Sequence, residues 1–296
     1  MIADFFSKGI AKTLYAAASF RKRRIKKQAS KKYKFAVLAI MKNEAMNIDE
    51  WLSHYISQGA DQIYLIDNGS TDETLEKVKK WTAKGKVDII VLNERGKQKK
   101  HYWTAFNRFK IRQNCEWLLI ADLDEFLFSK DGVILSDALG DYRDYDVIYV
   151  NWSIFGSSGF KQHPDSLRLN LCLRQPDLGP HSCRKWIART SALEIKEQLK
   201  IHHISGVCSS RTISENARFQ MNHYVTQSME FFAKVKMARG DVFSPQNDAV
   251  RDMAYFHRYD DPCTVEDRQL ADQLLRKQKS PTLAQKEHVQ KEPALA

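Results

Sequence analysis

The chain has 296 residues, enough for one large α/β domain or two small ones, and its hydrophobic share of 43% supports a full buried core. A net charge of +11 would suit a nucleic-acid binder, but Arg21, Lys22, Arg23, Arg24, Lys26, Lys27, Lys31, Lys32 and Lys34 supply nine of those charges. The remainder is close to neutral, so a basic groove across the folded body is not expected, and neither is a nucleic-acid partner. Five cysteines without CxxC spacing fit a reducing compartment and give no zinc signature. No apolar run approaches the roughly 20 residues that span a bilayer, and no signal-peptide pattern is present. The cytoplasm is therefore the expected location.

Residues 2–20 set Ile2, Phe5, Phe6, Ile10, Leu14, Ala17 and Ala18 on one helical stripe, with the basic run from Arg21 directly behind it. This pattern fits a peripheral anchor on an anionic membrane surface at the inner face, each cation contributing on the order of 1 kcal/mol. The alternative is a helix packed on the body of the protein, followed by a solvated linker.

From Lys34 the texture becomes α/β. Phe35 to Met41 is an apolar strand closed by the polar turn Lys42-Asn43-Glu44, and Asn47 is placed to cap a helix carrying Ile48, Trp51, Leu52, Tyr55 and Ile56. Gly59 ends that helix, and the strand Gln62 to Ile66 runs into Asp67-Asn68-Gly69-Ser70-Thr71-Asp72, a turn-forming cluster ahead of a helix over Glu73 to Trp81. A third strand, Val87 to Leu92, is followed by a helix bearing Trp103, Phe106, Phe109 and Ile111. The fourth strand is the run Trp117-Leu118-Leu119-Ile120. Such alternation predicts a mostly parallel sheet with right-handed crossovers, its strand ends converging on one edge.

That edge receives Ala121-Asp122-Leu123-Asp124-Glu125, three carboxylates within four residues. Acids so close repel one another unless a cation lies among them, and hard oxygen ligands suit Mg²⁺ or Mn²⁺; a strand end whose acids cap a helix or face water is the plainer reading. Further on come a short helix near Ser136 to Leu139, the strand Asp146 to Val150, and the Gly/Ser-rich stretch Asn151 to Phe160 with aromatics interleaved, which reads as a loop able to wrap a sugar ring. Lys185 to Arg189 is a candidate strand. His202-His203 and Asn222-His223-Tyr224 follow, then a helix over Ser228 to Arg239. The last twenty or so residues have the composition of a mobile tail.

Taken in order, Lys42-Asn43-Glu44, Ile66 to Asp72, Asp122-Leu123-Asp124-Glu125-Phe126, Trp152 with Phe155-Gly156-Ser157-Ser158-Gly159, and Asn222-His223-Tyr224 with Ser228, Phe231, Lys234, Arg239 and Gly240 resemble the GT-A-type nucleotide-sugar glycosyltransferases. The resemblance is to the family 2 superfamily, most closely its family 92-like branch, and spans about residues 35 to 241. It implies a Rossmann-like, mostly parallel sheet flanked by helices with an irregular acceptor-side region. The implied activity is hexosyl transfer, with inversion, from a UDP-linked sugar to a glycan or lipid-linked glycan. By the same resemblance Asp124 binds Mn²⁺ or Mg²⁺ bridging the donor diphosphate, and Asp122 meets the metal through water or holds the ribose. Asp67 and Asn68 read the nucleoside, although the commoner family 2 form has a second acid where Asn68 stands. Asn43 and Glu44 line the same pocket, His223 or else His202 is a further metal ligand, and Lys234 and Arg239 close over the diphosphate. Trp152, Phe155 and Ser157 face the acceptor.

Inversion requires a carboxylate base, for which Asp165 and Glu125 are the candidates, with Glu215 also open. Glu125 could equally hold its loop by bonding backbone amides. A nucleotidyltransferase is the competing enzyme reading, but it wants a glycine-rich loop near the first strand, which residues 39–44 lack. A non-catalytic membrane- or nucleic-acid-bound scaffold is the third. The expected organisation is a membrane-proximal segment (1–34), a transferase domain (35–260) and a C-terminal helix and tail (261–296).

Overall fold

The structure is a computed structural model that describes residues 31–94, 96–180, 183–238 and 251–279. The anchor expected within 1–34, apart from its last four residues, lies outside the described residues, as do Arg239 and the tail from 280 onward.

Strand β1 (Tyr33–Met41) is the spine. It pairs in parallel with β2 (Gln62–Asp67) on one side and β4 (Cys115–Ile120) on the other, and β2 pairs in parallel with β3 (Val87–Val91). The alternation of its side chains divides the core in two. Phe35, Val37, Ala39 and Met41 enter one cluster with Trp51, Leu52 and Tyr55 of helix α1 (Ile48–Ser57). Ala36 and Leu38 enter the other with Tyr102, Ala105 and Phe106 of α2 (Gln98–Arg108). A parallel sheet covered on both faces needs strands apolar throughout, which is why Phe35 to Ala39 are all fully buried and why the run was legible. Gly59, at φ +83°, ends α1 as expected; a Cβ there would lie 2.1 Å from Ser136 Oγ.

The register aligns Met41 with Asp67 and Leu38 with Ile120, so the loops after β1, β2 and β4 open on one edge. Beyond β4 the sheet turns antiparallel: β8 (Arg184–Arg189) runs against β4, and β6 (Val147–Phe155) runs against β8. The order is β11-β7-β6-β8-β4-β1-β2-β3, with β7 (Leu173–Leu178) and β11 (Val265–Glu266) at the far side. Strand β10 (Phe219–Tyr224) joins β6 in parallel and β5 (Glu125–Ser129) antiparallel.

Two expectations are corrected. The stretch 151–155 is the second half of β6, paired with β7 and β10, rather than a loop. Asn47 precedes α1 but does not cap it; its amide donates to Gln227 Oε1 at 3.0 Å, and its carbonyl faces His163 Nε2 at 2.9 Å. The expected C-terminal helix is present as Gln269–Lys279. Its Leu270 and Ala271 are buried, and Gln273 bonds the Ser129 carbonyl.

Candidate active site

The loop after β4 is held from below by α1. Trp51 donates its indole N–H to the carbonyls of Asp122 (2.9 Å) and Glu125 (3.2 Å), and the Tyr55 hydroxyl donates to Glu125 O (2.9 Å). On its other side Tyr224 N donates to Asp124 O at 2.9 Å, and the β10 register sets His223 opposite Glu125. The main chain thus presents Asp122 and Asp124 to a cleft of about 390 Å³, a size that suits a small ligand.

Each acid has a buried lysine. Lys185, fully buried on β8, reaches Asp122 Oδ2 at 2.8 Å and Glu125 Oε2 at 3.2 Å. Lys236 reaches Asp124 Oδ2 and the Val225 carbonyl, both at 2.5 Å. The other carboxylate oxygen of Asp124 lies 3.5 Å from His223 Nε2. Burial would raise the Asp124 pKa, but the Lys236 cation and His223 outweigh it and hold the group well below the usual carboxylate range. Glu125 goes the other way: burial, with Asp122 and Asp124 adding to it and Lys185 opposing, pushes it up to about 8.

The cleft gathers Glu44, Asn68, Asp122, Asp124, Trp152, His202 and His223 among the residues singled out in the sequence. Trp152 packs against His223 with ring centroids 4.2 Å apart, and its buried indole N–H has no hydrogen-bond partner among the described residues. His202 Nδ1 lies 3.0 Å from the Arg184 carbonyl; a carbonyl only accepts, so Nδ1 bears the proton and the neutral ring keeps its lone pair on Nε2. Burial and the Lys185 charge lower its pKa.

Several expected residues point elsewhere. Glu125 is fully buried, accepting from Asp122 N at 2.9 Å, so it supports the loop. Asp165 is exposed and away from the cleft, and Glu215 bonds Arg218 N in a turn. Asp67 is spent on its own loop, accepting from Gly69 N and Ser70 N. Asn43, at φ +53°, ties the first loop to the second through Thr71 N at 2.8 Å. Phe155 packs on Tyr224, and Ser157 bonds Asp260 at 2.8 Å. Lys234 is exposed and paired with Glu230.

The lysine that lines the cleft is two residues later, Lys236. The helix expected over 228–239 begins as one α turn (Met229–Phe231) and continues as a π-helix (Phe232–Met237), a rare form that is frequent at functional sites. Phe232 and Lys236 are both buried, and their i,i+4 spacing was the available sequence signal. The cleft also contains Lys97, His101, Arg251, Tyr255 and Tyr259, none of which sequence reading had singled out.

Among the described residues no three His, Cys, Asp or Glu side chains form a ready-made metal site. Asp124 and His223 nonetheless offer two donors beside the cleft. That set fits a hard divalent cation which completes its coordination with substrate phosphate oxygens, as Mg²⁺ commonly does.

Comparison with known proteins settles the family. The family model described as Glycosyltransferase family 92 matches residues 31–262. The chain belongs to that family. A family 92 protein of Ricinus communis is 23% identical over 220 residues, covering 69% of this chain and 38% of its own length. One of Arabidopsis thaliana is 23% identical over 250 residues, covering 76% and 40%. The family 92 chain therefore spans about two-fifths of the length of these curated relatives. Among solved structures, S. aureus TarS 1–349 in complex with UDP-GlcNAc is 17% identical at a TM-score of 0.42, covering 86% of this chain and 77% of that one. Glucosyl-3-phosphoglycerate synthase from Mycobacterium tuberculosis with phosphoglyceric acid is 15% identical at 0.36, covering 64% and 72%. No helix among the described residues is long and apolar enough to cross a membrane.

Proposed function

We propose that the chain transfers a hexosyl group, with inversion and with the help of Mn²⁺ or Mg²⁺, from a UDP-sugar to a hydroxyl of a glycan or lipid-linked glycan. The observation that carries this reading is the meeting of Asp124 with His223 at the edge of a cleft formed by the ends of β1, β2 and β4. Ligands of α/β sheets bind at such edges. The nucleoside end lies toward Glu44, Asn68 and His101, and the sugar end toward Trp152, whose ring can stack on an apolar sugar face. Asp124 and His223 would hold the cation, which when bound neutralises charge on the departing diphosphate. Lys185 keeps Asp122 oriented toward the ribose, and Glu125 keeps the loop in shape.

With Glu125 buried and Asp165 outside, we assign the base to His202. Its unprotonated Nε2 can take the acceptor's hydroxyl proton while Nδ1 stays anchored on Arg184 O. At the membrane, residues 1–34 would hold the enzyme to an anionic inner face.

The test is a panel of nucleotide sugars, each with Mn²⁺, scored by donor hydrolysis and by protection against thermal unfolding. A UDP-sugar is expected to stabilise the wild type, and Asp124→Asn to lose both signals. If no nucleotide sugar protects the wild type in the presence of metal, the reading fails.

A further inference from the structure

The Lys236 ammonium occupies the same carboxylate that a catalytic cation would need. Its Nζ lies 2.5 Å from Asp124 Oδ2, its side chain is 5% exposed, and it is fixed at the same time by the Val225 carbonyl at 2.5 Å. Among the described residues the other group at this carboxylate is His223, whose Nε2 lies 3.5 Å from the opposite oxygen, a longer and weaker contact. Asp122 is held likewise, its Oδ2 bound by Lys185 at 2.8 Å. A monovalent and a divalent cation on one carboxylate repel each other strongly where the group is largely buried, and the Asp124 side chain is 14% exposed.

We propose that Lys236 is an exchangeable counter-ion: it competes with the divalent metal for Asp124, so that metal alone binds weakly and binds firmly only together with a nucleoside diphosphate. The diphosphate gives the displaced ammonium a new anionic partner. The anchor at Val225 keeps Nζ within the cleft while the partner changes, and the side chain is carried there on the π-helix. Metal and donor then favour each other by linkage, with no change in the path of the main chain. The inference rests on the metal-assisted reading given above.

The test follows Mn²⁺ binding to the full chain by the electron paramagnetic resonance signal of the free ion, with and without UDP, for wild type, Lys236→Gln, Lys236→Met and Asp124→Asn. Glutamine retains a donor for Val225 O and removes the charge. Wild type is expected to bind Mn²⁺ at least tenfold more tightly with UDP than without. Lys236→Gln is expected to bind Mn²⁺ alone at least tenfold more tightly than wild type, and to lose most of the gain from UDP. A Lys236→Gln affinity for Mn²⁺ alone equal to or below that of wild type overturns the competition, while Asp124-dependent binding with UDP in wild type preserves the metal reading. Absence of such binding in wild type overturns both. Should both lysine variants fail to fold, acetylation of Lys236 in wild type, followed by mass spectrometry, decides: Mn²⁺ is expected to speed it severalfold and added UDP to suppress it. An unchanged rate overturns the proposal.

Discussion

Replacing Lys185 by methionine keeps the side-chain length on β8 and removes the charge that Asp122 and Glu125 share. The cost should depend on pH in a definite direction. The Glu125 pKa is pushed up to about 8 in the folded protein, against about 4.3 in an unfolded chain. Its favourable contribution is therefore complete below about pH 4.3 and is lost as pH rises through about 8. At pH 5 the carboxyl is protonated with or without the lysine, and the variant loses mainly the 2.8 Å bond to Asp122, a loss of about 1–3 kcal/mol. At pH 9 Glu125 is ionised in the wild type, and breaking a buried pair costs about 3–5 kcal/mol. For a domain of this size that is a fall in Tm of roughly 6–20 °C. Removing Lys185 also removes the cation that lowers the Glu125 pKa and leaves only the Asp122 N–H opposing the rise, so the variant should go on losing stability above pH 8, where the wild type levels off. The assay is thermal denaturation from pH 5 to 9 of the wild type, Lys185→Met, Glu125→Gln and the double variant. The double variant should recover most of the loss at pH 9 and little at pH 5. Equal losses at the two pH values, or no recovery from Glu125→Gln at pH 9, would refute the account of Glu125 as a buried support relieved by Lys185.

His202→Gln should lower kcat by about 10²–10⁴-fold with little change in donor affinity measured by calorimetry, since the side chain is assigned a proton-transfer role. Asn68→Asp, which restores the commoner family 2 acid, should destabilise the protein by about 1–3 kcal/mol in urea titration, because the amide donates to Leu92 O at 2.6 Å and a carboxylate there would face that oxygen. Gly156→Ala should cost about 1–3 kcal/mol by the same measure. Its Cβ would sit 2.7 Å from Asp260 Oδ1, which also bonds Ser157 N and Thr226 Oγ1.

The parallel half of the sheet was legible because its inner strands, buried on both faces, carry unbroken apolar runs such as Phe35 to Ala39 and Trp117 to Ile120, and the position of Asp122 and Asp124 followed from the second of these. The second half of β6 was not. Asn151 and Ser153 are polar and buried there, with Asn151 donating to Gly179 O and receiving Asn216, partners distant in sequence. The lysines were hidden for a related reason. A hydropathy reading assigns lysine to the surface, yet Lys185 stands inside a strand that is buried on both faces. Asp67 and Asn43 were read as ligand contacts because turn-forming and ligand-reading residues have the same chemistry. Only the hydrogen-bond partners, Gly69 and Ser70 for one and Thr71 for the other, tell them apart.

The grip of Trp51 and Tyr55 on the carbonyls of Asp122 and Glu125 also has a kinetic meaning. With the main chain of the acidic loop already ordered, a ligand arriving at Asp124 loses little conformational entropy to the loop itself. What remains free to change is a few side-chain torsions of Asp124 and Lys236, so an exchange of partners at the acids need not wait for the loop to rearrange.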